Sequence, residues 1–269
     1  MRKAMEYHII SGRVIETRRS YMPCRSEGKK TRGVRVAGNS SARKIALNER
    51  EGVKRAARIL NANFGDGFLF VTLKYSNARL PACYADAVKD LDRFLRGARK
   101  GQQGGKLRYF AVAANWSPKH QGPARLHHHI VLDKGSIDLL ASLWPEGEFY
   151  VQRVDAPGDL TKLAAYLLDN VHELEKGKKK YRTAKGMEKP IYTEPVEVSD
   201  VEGIVALPDT AVVDGEPSYN EDGRVVGSYI RAVAQTAPKV RGSMVILPKR
   251  GKKRRSEEGY FAVIREQDA

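Results

Sequence analysis

Hydrophobic positions along this chain switch between a period of two and a period near 3.6, and each switch predicts a change of element. Residues 7–17 read as a β-rich segment with a turn at Gly12, and residues 18–45, rich in Arg, Lys, Ser and Gly, as a loop or basic arm. Val53, Ala56, Ala57 and Leu60 recur at helical spacing and predict a helix over 46–63, with Lys54, Arg55 and Arg58 outside its apolar stripe. Gly65 and Gly67 break the pattern, and the β-branched and aromatic run 68–75 predicts a strand. An amphipathic helix follows over 82–100, its stripe made of Tyr84, Ala87, Val88, Leu91, Phe94, Leu95 and Ala98.

Residues 107–116 and 125–132 predict two strands joined as a hairpin across Pro118 and Gly122-Pro123. A short helix over 136–144 has Ser136 as its N-cap, residues 148–154 predict a further strand, and Asp159 caps a helix running to 174. This order predicts an α+β fold, a central antiparallel sheet with helices packed on it. It divides the chain into a basic N-terminal arm with short strands (1–45), a central domain (46–190) and a C-terminal extension (191–269) to which pattern alone assigns no role.

Composition narrows the partners. Hydrophobic residues make up 41% of the 269, enough for a core, while 48 Lys and Arg against 32 Asp and Glu give a net charge of +16. Such an excess points to a polyanion, although ribosomal, other basic soluble and peripheral membrane proteins share it. Cys24 and Cys83 form no Cys-x-x-Cys pair, which excludes a zinc ribbon and a disulfide framework. No apolar run approaches the ~20 residues of a membrane span, and no apolar signal core follows the basic first residues. The expectation is a cytoplasmic protein with no membrane partner.

Candidate chemistry starts at Leu126-His127-His128-His129-Ile130-Val131-Leu132, which holds three of the six histidines. In a strand, His127 and His129 share one face and His128 takes the other. Two imidazoles at i and i+2 can grip one metal ion, leaving positions open for phosphate oxygens, and such an ion polarises a phosphodiester. No His-Glu-x-x-His motif is present to activate water, and a tyrosine on a neighbouring helix would serve as the nucleophile. Tyr166 is the candidate. It lies at the edge of the apolar face formed by Leu160, Leu163, Ala164, Leu167, Val171 and Leu174, and a phenolate can form a covalent phosphodiester. Tyrosine ordinarily titrates near ~10, so the site must help remove its proton. A phosphotyrosine linkage conserves bond energy, so rejoining needs no ATP, and the chain contains no Gly-x-x-x-x-Gly-Lys-Ser/Thr loop.

These residues, taken with the run 70–75, Arg125–Leu132, Ala164–Leu168 and the basic segment 178–190 that ends in Lys189-Pro190, resemble the HUH endonucleases over roughly residues 45–190. The branch they resemble is that of the rolling-circle replication (Rep) proteins of plasmids, integrative elements and small single-stranded DNA phages. The resemblance implies a five-stranded antiparallel sheet. It implies Mg²⁺ or Mn²⁺ held by His127, His129 and a third polar ligand, and nicking of an origin strand by Tyr166 to give a 5′-phosphotyrosyl end and a 3′-OH. The implied partners are single-stranded or hairpin origin DNA and host replication proteins, a helicase and a polymerase. The chain departs from the family twice: Asn115 stands nearest to the position of the family's carboxylate ligand, and Asp169 replaces a lysine three residues after the tyrosine, whose charge Lys162 would supply. Arg108, Lys119, Arg125, Lys162, Lys178, Lys179, Lys180 and Arg182 are the expected phosphate contacts. Two other functions fit the same residues: a degenerate, non-catalytic nucleic-acid-binding protein, and a single-tyrosine transposase of the same chemistry.

Overall fold

The computed structural model describes residues 3–21, 42–101, 106–155, 158–172, 179–219 and 223–247. Its contacts divide them into two compact units, one built from residues 3–58 and 189–247 and the other from 59–188. The fold is α+β, as expected, with antiparallel sheets and four helices among the described residues.

The first unit opens with a hairpin of β1 (Ala4–Ser11) and β2 (Val14–Tyr21), turned at Gly12, whose φ of 59° suits a residue without a Cβ. Helix α1 (Ala42–Phe64) follows; it is longer than the predicted 46–63 and ends in the second unit. Ala56, Ala57 and Leu60 are buried as the stripe requires, but Arg58, expected outside it, is buried too. Its Nε and Nη2 donate to the two carboxylate oxygens of Glu16, at 2.7 and 2.6 Å. Helical spacing could not show this, because the partner lies on β2, 42 residues earlier.

The second unit carries β3 (Gly67–Tyr75), α2 (Tyr84–Gly101), β4 (Tyr109–Ser117), β5 (Gly122–Leu132), α3 (Ile137–Ser142), β6 (Gly147–Asp155), α4 (Thr161–Asp169) and β7 (Arg182–Thr183). Its strands form one antiparallel five-stranded sheet in the order β6-β3-β5-β4-β7. Each predicted strand and helix of this region is present with shifted ends. Helix α4 stops at Asp169 rather than 174, and Leu174 lies outside the described residues. Ser136 caps α3 as expected, its side chain accepting from the Leu139 amide.

The remaining strands return to the first unit: β8 (Ile191–Tyr192), β9 (Val196–Val198), β10 (Thr210–Tyr219) and β11 (Val225–Ala234), followed by a small hairpin of β12 (Lys239–Arg241) and β13 (Met244–Ile246). Their sheet runs β10-β11-β2-β1-β8, with β9 also paired to β1. The regions expected to be a separate arm and a separate extension therefore share one sheet. The pairings that join them span more than 170 residues, beyond the reach of a local pattern. Residues 22–41 of the expected arm, and the basic run 249–255, lie outside the described residues.

In the second unit the two faces of the sheet are unlike. One carries Val71, Leu73 and Tyr75 of β3, Ala111 and Ala113 of β4, and Ile130 and Leu132 of β5, packed against Ala87, Leu91, Phe94 and Leu95 of α2 and Leu140 of α3. His128 belongs to this buried face. Its Nε2 lies 2.8 Å from the Tyr75 hydroxyl, which in turn donates to Asp90 of α2 at 3.1 Å, and Trp144 meets it edge-on. Burial holds this imidazole neutral, its pKa pushed down to about 3.

The cost appears in acid. The unfolded chain protonates this histidine below ~6.5, whereas the fold keeps it neutral until about 3, so its contribution to stability is full above 6.5 and falls as the pH drops below it, by ~1 kcal/mol per unit. Thermal melting in EDTA should therefore drop steeply between about pH 6.5 and pH 4. The slope should be shallower in His128→Phe; an unchanged slope contradicts this assignment.

Candidate active site

The opposite face of the sheet carries the expected pair. Register places Thr72 beside His129 and Lys74 beside His127 on one flank, and Val112 and Ala114 on the other. The imidazoles approach with Nε2 atoms 3.1 Å apart. His127 Nδ1 donates to the Arg125 carbonyl at 2.8 Å, which leaves its Nε2 as a lone-pair donor. His129 Nδ1 lies 3.1 Å from Thr72 Oγ1, and the Phe70 ring stacks on its imidazole with centroids 5.5 Å apart. Burial is the largest cause lowering both pKa values, with the positive charge of Lys74 adding to it, so both rings are neutral and able to bind metal.

Tyr166 completes the cluster. Its Oη lies 3.2 Å from His129 Nε2, and its ring meets those of His129 and Phe70. Leu163, Ala164, Leu167 and Leu168 bury the inner face of α4, while Tyr166 at the edge stays 42% exposed. The helix is fastened at both ends by amides. At its start, Asn61 of α1 accepts from the Leu160 amide at 2.8 Å and donates to Asp159 at 3.1 Å. Asp159 accepts from the Thr161 amide, although the cap position itself falls on Leu160, one residue later than expected. At its end, Asn170 donates to the Tyr166 carbonyl at 2.7 Å, and its own carbonyl accepts from the amides of Asn115 and Trp116 on β4.

Asn115, the expected third ligand, has another task. Between Ala114 and Trp116 the β4–β5 register shifts, with residues 124–126 of β5 opposite Asn115 alone. The Asn115 amide then clamps His172, with Oδ1 accepting from its N–H at 3.0 Å and Nδ2 donating to its carbonyl at 2.9 Å. The β4 neighbours of the two histidines are the apolar Val112 and Ala114. Among the described residues, no group of three or more His, Cys, Asp or Glu is placed to hold a metal. His127 and His129 themselves fit a divalent cation. Both are neutral and aimed at each other, and 3.1 Å is a normal spacing for neighbouring donors whose bonds to one ion are ~2.1 Å.

The expected phosphate contacts divide. Arg125 precedes His127 by two residues on β5; its guanidinium donates to Asn77 Oδ1 and to the Tyr75 carbonyl, neither of which neutralises it. Lys119 is exposed in the β4–β5 turn, and Lys162 is exposed one turn before Tyr166. Arg108 lies at the far end of β4, paired with Asp133 at 3.0 Å, and Arg182 pairs with Asp92 at 2.7 Å, so the charge of each is already matched. Lys179 is exposed and Lys180 half-buried; Lys178 lies outside the described residues. Sequence reasoning missed Phe70, Thr72, Lys74, Asn61 and Asn170. The first three alternate on β3, but only the β3–β5 register shows that their face is that of the histidines.

Searches against protein-family models, curated proteins and solved structures return no match. Among the described residues, no helix is long and apolar enough to cross a membrane.

Restoring a carboxylate at position 115 should not restore a ligand. Asn115→Asp faces the His172 carbonyl without a donor, and should lower stability by ~1–3 kcal/mol. Its Mn²⁺ affinity by calorimetry should match that of the original chain; a marked gain in affinity would place residue 115 in the metal site after all.

Proposed function

We propose that the chain is a metal-assisted, tyrosine-dependent DNA-nicking enzyme of the rolling-circle replication type. The observation that carries this reading is the approach of the Tyr166 hydroxyl to the facing pair His127 and His129, at 3.2 Å from His129 Nε2. The substrate is a single strand or a hairpin at an origin, in keeping with the net charge of +16 and with the cations Arg125, Lys119 and Lys162, which pair with no carboxylate among the described residues. Host helicase and polymerase would act on the product, in the cytoplasm.

His127 and His129 are the residues that would hold Mg²⁺ or Mn²⁺. When bound, the ion supplies positive charge that polarises the scissile phosphate. The Arg125 carbonyl and the Thr72 hydroxyl hold the two rings in orientation, and Phe70 shields the buried side of His129 from water. The fastened helix α4 sets the position of the Tyr166 oxygen, which attacks phosphorus as the bond to the 3′ oxygen breaks. The phenolic proton leaves to solvent, to which Tyr166 is open, and the departing 3′ oxygen takes up a proton. The products are a 5′-phosphotyrosyl protein and a strand with a free 3′-OH that can prime synthesis or reverse the reaction.

A second reading has its own support. Apolar Val112 and Ala114 beside the histidines, and the engaged amide of Asn115, leave β4 without an oxygen ligand, which suits a binding protein that has lost catalysis. A transposase would use the same residues and differ in its target, the hairpin ends of an element.

Incubation with pooled single-stranded DNA and Mn²⁺ separates these readings. The nickase should yield cut strands with free 3′-OH ends and protein joined to the 5′ fragments. Tyr166→Phe should abolish the joined species, and His127→Ala with His129→Ala should reduce cutting ~100-fold or more. Undiminished joining in Tyr166→Phe contradicts the nucleophile; salt-sensitive binding without cutting supports the binding protein.

A further inference from the structure

The sheet face that bears the histidines continues past them onto β3 and the edge strand β6. In register, Lys74 lies between His127 and Glu148, and Thr72 lies between His129 and Tyr150. Side chains of these residues share the histidine face. The Lys74 ammonium stands 4.8 Å from the centre of the Tyr150 ring. Tyr150 is 49% exposed, and its hydroxyl donates to Glu148 at 2.7 Å. Among the described residues, no carboxylate lies within ion-pair distance of Lys74. Helix α4 packs on β4, on the other side of the histidines, and β6 is the edge of the sheet.

We propose that Lys74 and Tyr150 form a nucleotide subsite, with Lys74 contacting a backbone phosphate and Tyr150 stacking on an unpaired base of the DNA strand that enters the histidine site. The geometry suits one continuous strand. Adjacent β-strands are ~4.8 Å apart, so Lys74 is one strand spacing from the histidines and Tyr150 two, ~10 Å, a span that about one or two nucleotides cover. A phosphate at the histidine pair then has its neighbour near Lys74, with the attached base over the Tyr150 ring. Glu148 contributes in two ways: its bond to the hydroxyl fixes the ring, and its charge repels phosphate from the ring tip, which directs the backbone to the Lys74 side. A flat, exposed tyrosine stacks on any base and has no partner in a base-paired duplex, so the subsite selects single strands.

This inference takes the identity of its strand from the nickase reading, but it can be tested by binding alone. A fluorescent oligothymidine, and its duplex with oligoadenine, are titrated with the full chain in EDTA, where cutting does not contribute. Tyr150→Ala should weaken single-strand binding ~10-fold and leave duplex binding unchanged, while Tyr150→Phe stays within about twofold of the original. Tyr150→Thr, which keeps strand propensity without a ring, should behave as Tyr150→Ala does. Lys74→Ala should weaken binding and reduce the salt slope by about one phosphate contact. Single-strand binding by Tyr150→Ala and Tyr150→Thr equal to that of the original chain overturns the subsite, as does an original chain that binds no single strand. If the binding pattern holds but the original chain never cuts in Mn²⁺, the nickase reading fails and the subsite stands. If cutting occurs while both Tyr150 variants bind normally, the subsite alone fails.

Discussion

The two-residue alternation of β5 is the constraint on which the site depends. Three consecutive histidines in a helix would fan out around its axis, but in a central strand held on both sides by β3 and β4 they divide between two surfaces. His128 is drawn into the core, where its Nε2 meets the Tyr75 hydroxyl, which Asp90 in turn accepts from. His127 and His129 are left together on the open face. A slip of one residue in the β5 register would exchange the two sets, and would put two imidazoles among Leu73, Ala113 and Trp144. The buried histidine is thus more than filler, since its bond to Tyr75 favours the register that presents the other two.

Tyr166 reaches this pair because asparagines fasten both ends of α4, whose inner face is buried by Leu163, Ala164, Leu167 and Leu168. The helix covers only nine residues. Asn61 ties its start to the end of α1, and Asn170 with Asn115 ties its end to β4. This arrangement gives Asn115 a task that a carboxylate could not perform. At position 115 the amide both donates and accepts in order to bind the two backbone groups of His172, which a carboxylate cannot do. The same residue cannot easily serve both tasks, and here it positions the end of the tyrosine helix.

The central sheet was legible because its strands are short, apolar and separated by clear turn residues, and because its connections are local. Alternation alone separated His128 from its neighbours, and the apolar face of α4 put Tyr166 at an edge. What the sequence hid depends on pairing at a distance. Arg58 looks like a surface residue until Glu16 is placed opposite it, and the tail strands look like an appendage until β11 is seen to pair with β2. Asn115 was read as a ligand because it lies late in the right strand. A shift in the β4–β5 register is invisible to a period-two pattern, and at that shift the Asn115 amide binds His172 instead. Lys74 and Tyr150 went unnoticed for the same reason, since they join the site only through strand register.

The proposed nickase needs the alternation of β5 to create a cation site within reach of Tyr166. Its most direct test is anomalous scattering at the manganese edge from crystals of the chain grown with Mn²⁺. One strong peak is expected, bonded to Nε2 of His127 and Nε2 of His129 beside the Tyr166 hydroxyl, and it should disappear in His127→Ala. A peak elsewhere with both imidazoles unliganded, or no peak at the pair under saturating Mn²⁺, would contradict it.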